Sequence, residues 1–296
     1  SQELTIQQAL SRAKKATKKG KIADAVEIYT AVLAHQPNHP IAQKALRKLQ
    51  KGLPQSQSAQ AETTQPSQIQ IDTLVSLYQS GQMIKTEQAC RELLQPYPQS
   101  LFVMNVLGAA LRRQGKLQEA VQAYDKAIQL KPDYTESHFN LGNTLQSLGR
   151  LDEAVASYGK AIQLKPDYSG AHINLGAALQ ALGRLEEAEA SYRKTILLKP
   201  DYADAHSNLG VTLQELGRFG EAEASYREAI ALNPDFAVAH YNLGISLQGL
   251  GRFEDAKASY KKAIALKPDN VEAHYNLGIM LQELGRSKEA EASYRK

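Results

Sequence analysis

Residues 135–168 read TESHFNLGNTLQSLGRLDEAVASYGKAIQLKPDY, and the chain repeats this 34-residue phrase. Its Leu141-Gly142 pair recurs at Leu107-Gly108, Leu175-Gly176, Leu209-Gly210, Leu243-Gly244 and Leu277-Gly278 without an insertion. A tetrad of Lys or Asn, Pro, Asp and an aromatic recurs in step at Lys131 to Tyr134, Lys165 to Tyr168, Lys199 to Tyr202 and Asn233 to Phe236. Self-similarity at a fixed period of this length marks a solenoid of stacked units rather than a core wrapped around a catalytic pocket. It points to binding or scaffolding.

Each phrase carries the helical period, broken twice. His138, Leu141, Gly142, Leu145 and Leu148 fall on one stripe, the i, i+3, i+4, i+7 spacing of an amphipathic helix. Gly149 then supplies a residue that can follow a helix C-terminus in a left-handed conformation. Ala154, Tyr158, Ala161, Ile162 and Leu164 form a second stripe. Pro166 ends it, because the residue before proline is pushed out of helical geometry, and Asp167 is expected to cap the next helix. Glycine inside a helix costs about 1 kcal/mol relative to alanine. Its recurrence at the place of Gly142 therefore predicts close approach of two helices, beside the bulk of Tyr158.

These residues resemble a tetratricopeptide array. Leu141, Gly142, Gly149, Ala154, Tyr158, Ala161 and Pro166 match the family pattern in order. The repeats beginning at 101, 135, 169, 203 and 237 match it; the one beginning at 271 stops at Lys296, inside its second helix. Histidine replaces the aromatic that often stands fourth. The resemblance implies an all-α, right-handed superhelix that presents a concave groove. It is similar to the superhelical arrays that precede O-linked N-acetylglucosamine transferase-like glycosyltransferases, or sulfotransferases, and so implies a substrate-recruiting part of a larger enzyme.

The expected organisation is a basic helical module over 1–51, a linker over 52–66, a degenerate repeat over 67–100, five regular repeats over 101–270 and a truncated repeat over 271–296. The module has Gly20, Ala25, Tyr29 and Pro37 in phase, followed by a lone helix near 40–51. The linker is rich in Gln, Ser and Thr with two prolines. In the degenerate repeat Cys90 stands where the aromatic should be and Thr86 where an alanine should be. The net charge of +4 is uneven: residues 1–53 hold ten Lys or Arg against three acidic residues, +7, and the rest holds 25 against 28, −3.

One cysteine in 296 residues gives no disulfide framework and fits a reducing compartment. No apolar run approaches the roughly 18 residues of a membrane helix, and no basic-then-apolar leader opens the chain. The expected compartment is cytoplasmic.

Asn140, Asn174, Asn208, Asn242 and Asn276 recur at the sixth position, turned away from the Leu/Gly stripe. First helices stacked about 10 Å apart match three residues of extended chain at ~3.3 Å each. A ladder of amides at that pitch can bond a threaded peptide backbone, since an amide both donates and accepts. The resemblance implies the same, because such asparagines hold peptides in the transferase arrays. The same face takes Gln146, Gln180, Gln214, Gln248 and Gln282, with Val211, Tyr241, Ile245, Tyr275 and Ile279. Apolar groups among amides suit partner recognition, although some of these residues are expected to pack within the solenoid.

His138, His172, His206, His240 and His274 are spaced by whole repeats, so they cannot converge on one metal; they are expected to pack between helices. Lys14, Lys15, Lys18 and Lys19, with Lys44, Lys48 and Lys51, form either a solvated face or a patch for an acidic polymer or nucleic acid. The carboxylate-clamp set of the family is not found. No nucleophile–base pair, phosphate loop or metal cluster stands outside the repeats, so no catalysis, cofactor or metal is expected. The expected partner is a protein or extended peptide, rather than a membrane or nucleic acid. At the last repeat Leu281, Leu284, Ala290 and Tyr294 are expected on or beside an unfinished packing surface, a route to self-association.

Overall fold

The computed structural model describes residues 6–19, 21–36, 39–51 and 65–295, which fall in two compact units, residues 1–64 and 65–296. Gly20, Pro37, linker residues 52–64 and Lys296 lie outside the described residues. Seventeen α-helices and no strand are present among the described residues.

The first unit holds α1 (Ile6–Lys18), α2 (Ile22–His35) and α3 (Pro40–Lys51). Leu10, Ala13, Ala25, Tyr29, Val32 and Ala42 form its core. The second opens with α4 (Gln68–Gln79) and α5 (Met83–Leu93), the degenerate hairpin. Its cap is a reciprocal Ser67–Gln70 box. Gln65 and Pro66 belong to this unit: Pro66 is buried, and Ser100 Oγ donates to Gln65 Oε1 at 3.0 Å.

Five hairpins follow: α6 (Leu101–Arg113) with α7 (Leu117–Leu130), α8 (Thr135–Ser147) with α9 (Leu151–Leu164), α10 (Ser169–Ala181) with α11 (Leu185–Leu198), α12 (Ala203–Glu215) with α13 (Phe219–Leu232), and α14 (Ala237–Gly249) with α15 (Phe253–Leu266). A last pair, α16 (Val271–Glu283) and α17 (Ser287–Tyr294), completes the all-α superhelix.

The hairpin closes as the small residues predict. Gly149 has φ +73°, and its equivalents in every hairpin from Gly81 to Gly285 share that sign. A Cβ on Gly142 would lie 2.6 Å from the Tyr158 ring, so only glycine admits the tyrosine. Tyr158, Ala154 and Ala161 are fully buried. Cys90 is buried in the equivalent place, and burial pushes its thiol up to about 12, so it stays protonated.

Two expectations need correction. Asp167 does not cap α10; Tyr168 occupies that position without a side-chain cap, and only the carbonyl of Asp167 is used, by Ser169 N–H at 2.9 Å. The aromatic takes the place because its ring covers the joint, 4.7 Å from Phe139. Asn270, standing where earlier repeats have an aromatic, does cap its helix through Ala273 N–H. At the last hairpin Leu281 and Ala290 are buried inside the unit, leaving Leu284 and Tyr294 as the exposed pair.

Candidate functional site

The histidines staple each first helix to the turn before it. Nε2 of His138, His172, His206, His240 and His274 lies 2.8–3.1 Å from the carbonyls of Pro132, Pro166, Pro200, Pro234 and Pro268. An imidazole N–H donates there in either charge state. These residues position the helices rather than a ligand.

The asparagines divide into two kinds. Asn140 Nδ2 donates to Asn105 Oδ1 at 3.0 Å, Asn174 to Asn143 Oδ1 at 2.7 Å, and Asn276 to the Tyr241 hydroxyl at 2.8 Å. Each bond crosses to the fifth or ninth position of the preceding repeat and ties two first helices together. Asn208 and Asn242 are half-buried, and among the described residues their side-chain amides have no partner. One repeat earlier, Ile173 and Ala177 offer Asn208 no side-chain acceptor, and before Asn242 the short Ser207, which is buried, and Val211 stand where longer Asn or Tyr groups bond the other asparagines. An amide with nothing to answer it inside the protein is available to a ligand.

The glutamines are engaged inward. Tyr158, Tyr192, Tyr226, Tyr260 and Tyr294 donate through their hydroxyls to Gln146, Gln180, Gln214, Gln248 and Gln282 at 2.8–3.4 Å. Burial raises the Tyr158, Tyr192, Tyr226 and Tyr260 hydroxyls well above the ordinary phenol value, so they remain donors. Gln180 also accepts from Thr212 and donates to Glu215, which occupies both ends of its amide. These residues thus couple the core tyrosine to the groove, a link the repeat phase alone did not disclose.

The apolar groove residues are partly committed to packing. Val211, Tyr241 and Ile245 lean on the buried core, whereas Tyr275 is 57% exposed. Ile245 and Ile279 line a concavity of about 430 Å³ together with Gln248, Asn276, Phe219 and Phe253. Phe219 and Phe253 were missed in the sequence, although both replace a leucine found at Leu117, Leu151 and Leu185. Gly249 makes room, since a Cβ there would stand 3.1 Å from the Phe219 ring. Arg112 was missed as well. It holds the place of the inward glutamine in the repeat from 101, so Tyr124 lacks that acceptor; among the described residues the buried Tyr124 hydroxyl and Arg112 Nε have no hydrogen-bond partner.

In the first unit Lys14, Lys18 and Lys48 border a concavity of about 400 Å³. Lys15, Lys19 and Lys44 are exposed outside it, and the side chain of Lys51 lies outside the described residues. Tyr29, at its floor, is 2% exposed and unable to stack on a base. Among the described residues no group of three or more His, Cys, Asp or Glu is placed to hold a metal. No helix among them is long and apolar enough to cross a membrane.

A family model, the C-terminal domain of cilia and flagella-associated protein 70, matches residues 56–296. The chain belongs to this family. Its fold is shared with solved tetratricopeptide proteins: MamA, 26% identical over 58% of this chain and 94% of that one, with TM-score 0.54; and YrrB, described as a tetratricopeptide protein with an unusual peptide-binding site, 22% identical over 63% and 96%, with TM-score 0.57. The APC/C hetero-tetramer Cut9-Hcn1 supplies a chain that aligns with 97% of this one over 51% of its own length, at 17% identity and TM-score 0.57. Among curated proteins, the peroxisomal targeting signal receptors of Kluyveromyces lactis and Eremothecium gossypii are 32% and 33% identical over 73 and 72 residues. Those segments span 25% and 24% of this chain and 13% of either receptor. The family member is thus a tetratricopeptide array, an architecture of protein–protein interaction.

Proposed function

We propose that the array is a non-catalytic module that binds an extended peptide segment of a partner protein along its concave face, with Asn208 and Asn242 bonding the peptide backbone. The observation that carries this reading is the pair of half-buried amides without partners among the described residues, in the same half of the array as the apolar concavity of Ile245, Ile279 and Phe253. The peptide-binding site named for YrrB and the signal receptors among the relatives support it. Recruitment of a substrate for a catalytic domain elsewhere in a longer protein would use the same face.

The test begins with extended peptides selected from a displayed random library against the full chain. Asn208→Ala with Asn242→Ala should weaken their binding roughly thirtyfold, because two backbone hydrogen bonds at ~1 kcal/mol each are removed. The melting temperature should hold. Unchanged affinity, or a collapse of the melting transition, would contradict the proposal.

A further inference from the structure

The geometry points to a directional ligand. We infer that the groove takes an extended peptide segment with a carboxylate at one end and a bulky apolar side chain at the other, the carboxylate on Arg112 and the apolar group against Phe253 and Ile279. This rests on the peptide-binding reading above and adds the chemistry and polarity of the peptide.

Arg112 is the one departure from glutamine at its position between the repeats from 101 and 271. Among the described residues it makes no ion pair, unlike Arg150, Arg184, Arg218, Arg252 and Arg286, each of which bonds a carboxylate. An arginine kept half-buried without a counter-ion is a ready anion site, since a guanidinium binds a carboxylate with two parallel hydrogen bonds. Arg112 acts on the buried Tyr124 and Tyr158 hydroxyls, and the neighbouring cation, Arg113, is committed to the face of the Tyr78 ring. A single positive charge suits a carboxylate; a phosphate calls for a cluster.

The other end has the opposite character. Phe219, Phe253, Ile245 and Ile279 supply apolar surface, and Glu283 stands at the edge of the concavity. A second carboxylate would be repelled there, while an aromatic or branched aliphatic side chain is accepted. Four repeat steps separate Arg112 on α6 from Ile245 on α14. At roughly 10 Å per step this is ~40 Å, or about twelve extended residues. Asn208 on α12 lies between the two ends, and Asn242 lies on α14 with Ile245, at the start of the apolar end.

The test uses the full chain and a fluorescein-labelled peptide of about 16 residues, long enough for four repeat steps. It carries one aspartate near one end, one phenylalanine near the other, and serine and threonine between. Replacing the aspartate by asparagine, replacing the phenylalanine by serine, or halving the spacer should each weaken binding about tenfold on the native chain. The aspartate effect should vanish on an Arg112→Gln chain and the phenylalanine effect on a Phe253→Ser chain, with melting transitions confirming that both variants fold. An aspartate effect of the same size on the Arg112→Gln chain overturns the assignment. Asn208→Ala with Asn242→Ala separates the two levels. If these substitutions still weaken every peptide while the aspartate effect ignores Arg112, the direction alone is wrong. If they change nothing, the peptide reading beneath it is wrong.

Discussion

The two halves of the array are built on one packing scheme but carry different groove chemistry. From 101 to 176 the concave amides are used up between helices: Asn140 on Asn105, and Asn174 on Asn143, which also accepts from Tyr158. From 203 onward the Asn208 and Asn242 amides have no partner among the described residues, whereas Asn276 bonds Tyr241 and lines the apolar concavity with Phe219 and Phe253. The convex joints differ in the opposite sense. Arg218 reaches back to Glu189 at 2.6 Å and Arg252 to Glu223 at 2.8 Å. Val121 and Val155 occupy the matching sites in the earlier repeats, so Arg150 and Arg184 bond only within their own hairpins. The joints at Arg218 and Arg252 thus add outer ion pairs to groove-side bonds such as Thr212 to Gln180 and Ser246 to Gln214, where the joints at Arg150 and Arg184 use asparagine amides.

The largest effect should ignore this difference, because both halves share the glycine–tyrosine contact. Gly142→Val and Gly210→Val each place a branched side chain where even a Cβ would meet tyrosine at 2.6 Å. Each should cost about 3 kcal/mol by overpacking, read from urea unfolding. A strongly unequal pair would show that the halves differ in packing as well as in chemistry.

The next effect runs against ordinary expectation. Arg112→Gln restores the glutamine of the other repeats and gives the orphaned Tyr124 hydroxyl an acceptor. It should therefore stabilise the chain by about 1 kcal/mol, the cost recovered from one unsatisfied buried donor. A destabilised variant would mean that Arg112 is held by interactions inside the fold.

Smaller still is the contrast between the joints. Arg218→Ala removes a cross-repeat pair whose Glu189 side chain is only 14% exposed, whereas Arg184→Ala removes one within a hairpin. The first should lower the melting temperature slightly more than the second, since exposed pairs contribute little and only the cross-repeat pair engages a carboxylate shielded from water. Equal shifts would remove the ion pairs from the account of the later half.

The acid limb gives the finest test. The Lys116 ammonium bonded to Glu87 holds that carboxyl down at about 2, with Arg91 and Gln114 assisting. A depressed folded value means the stabilisation is present above the unfolded carboxylate range near pH 4.5 and fades as pH falls toward 2. Glu87→Gln should flatten that part of the stability profile. An unchanged acid limb would show that this joint carries no such linkage.

The repeat phase made much of this legible. Helix boundaries, the left-handed glycines and the Gly142–Tyr158 contact follow from residues that recur, because packing between neighbours imposes the same demand in every copy. Asn140 and Asn208 occupy one phase, yet one is bound and the other free. What separates them is the residue one repeat earlier, Asn105 against Ile173, a pairwise fact that periodicity averages away. Arg112, Phe219 and Phe253 were visible only as departures from the phrase. Asp167 misled because a short acidic residue before a helix usually caps it, while here the following aromatic takes the position to cover the joint.

The most direct measurement asks whether Asn208 and Asn242 bond peptide backbone. A bound peptide is resynthesised with single amide-to-ester replacements, each removing one backbone N–H while keeping the side chains. Ester placement at the contacted residues should weaken binding to the native chain by about fivefold, the loss of one hydrogen bond at ~1 kcal/mol. The same ester should have no effect on the chain carrying Asn208→Ala and Asn242→Ala. Full additivity of ester and alanine effects at every position would contradict the account.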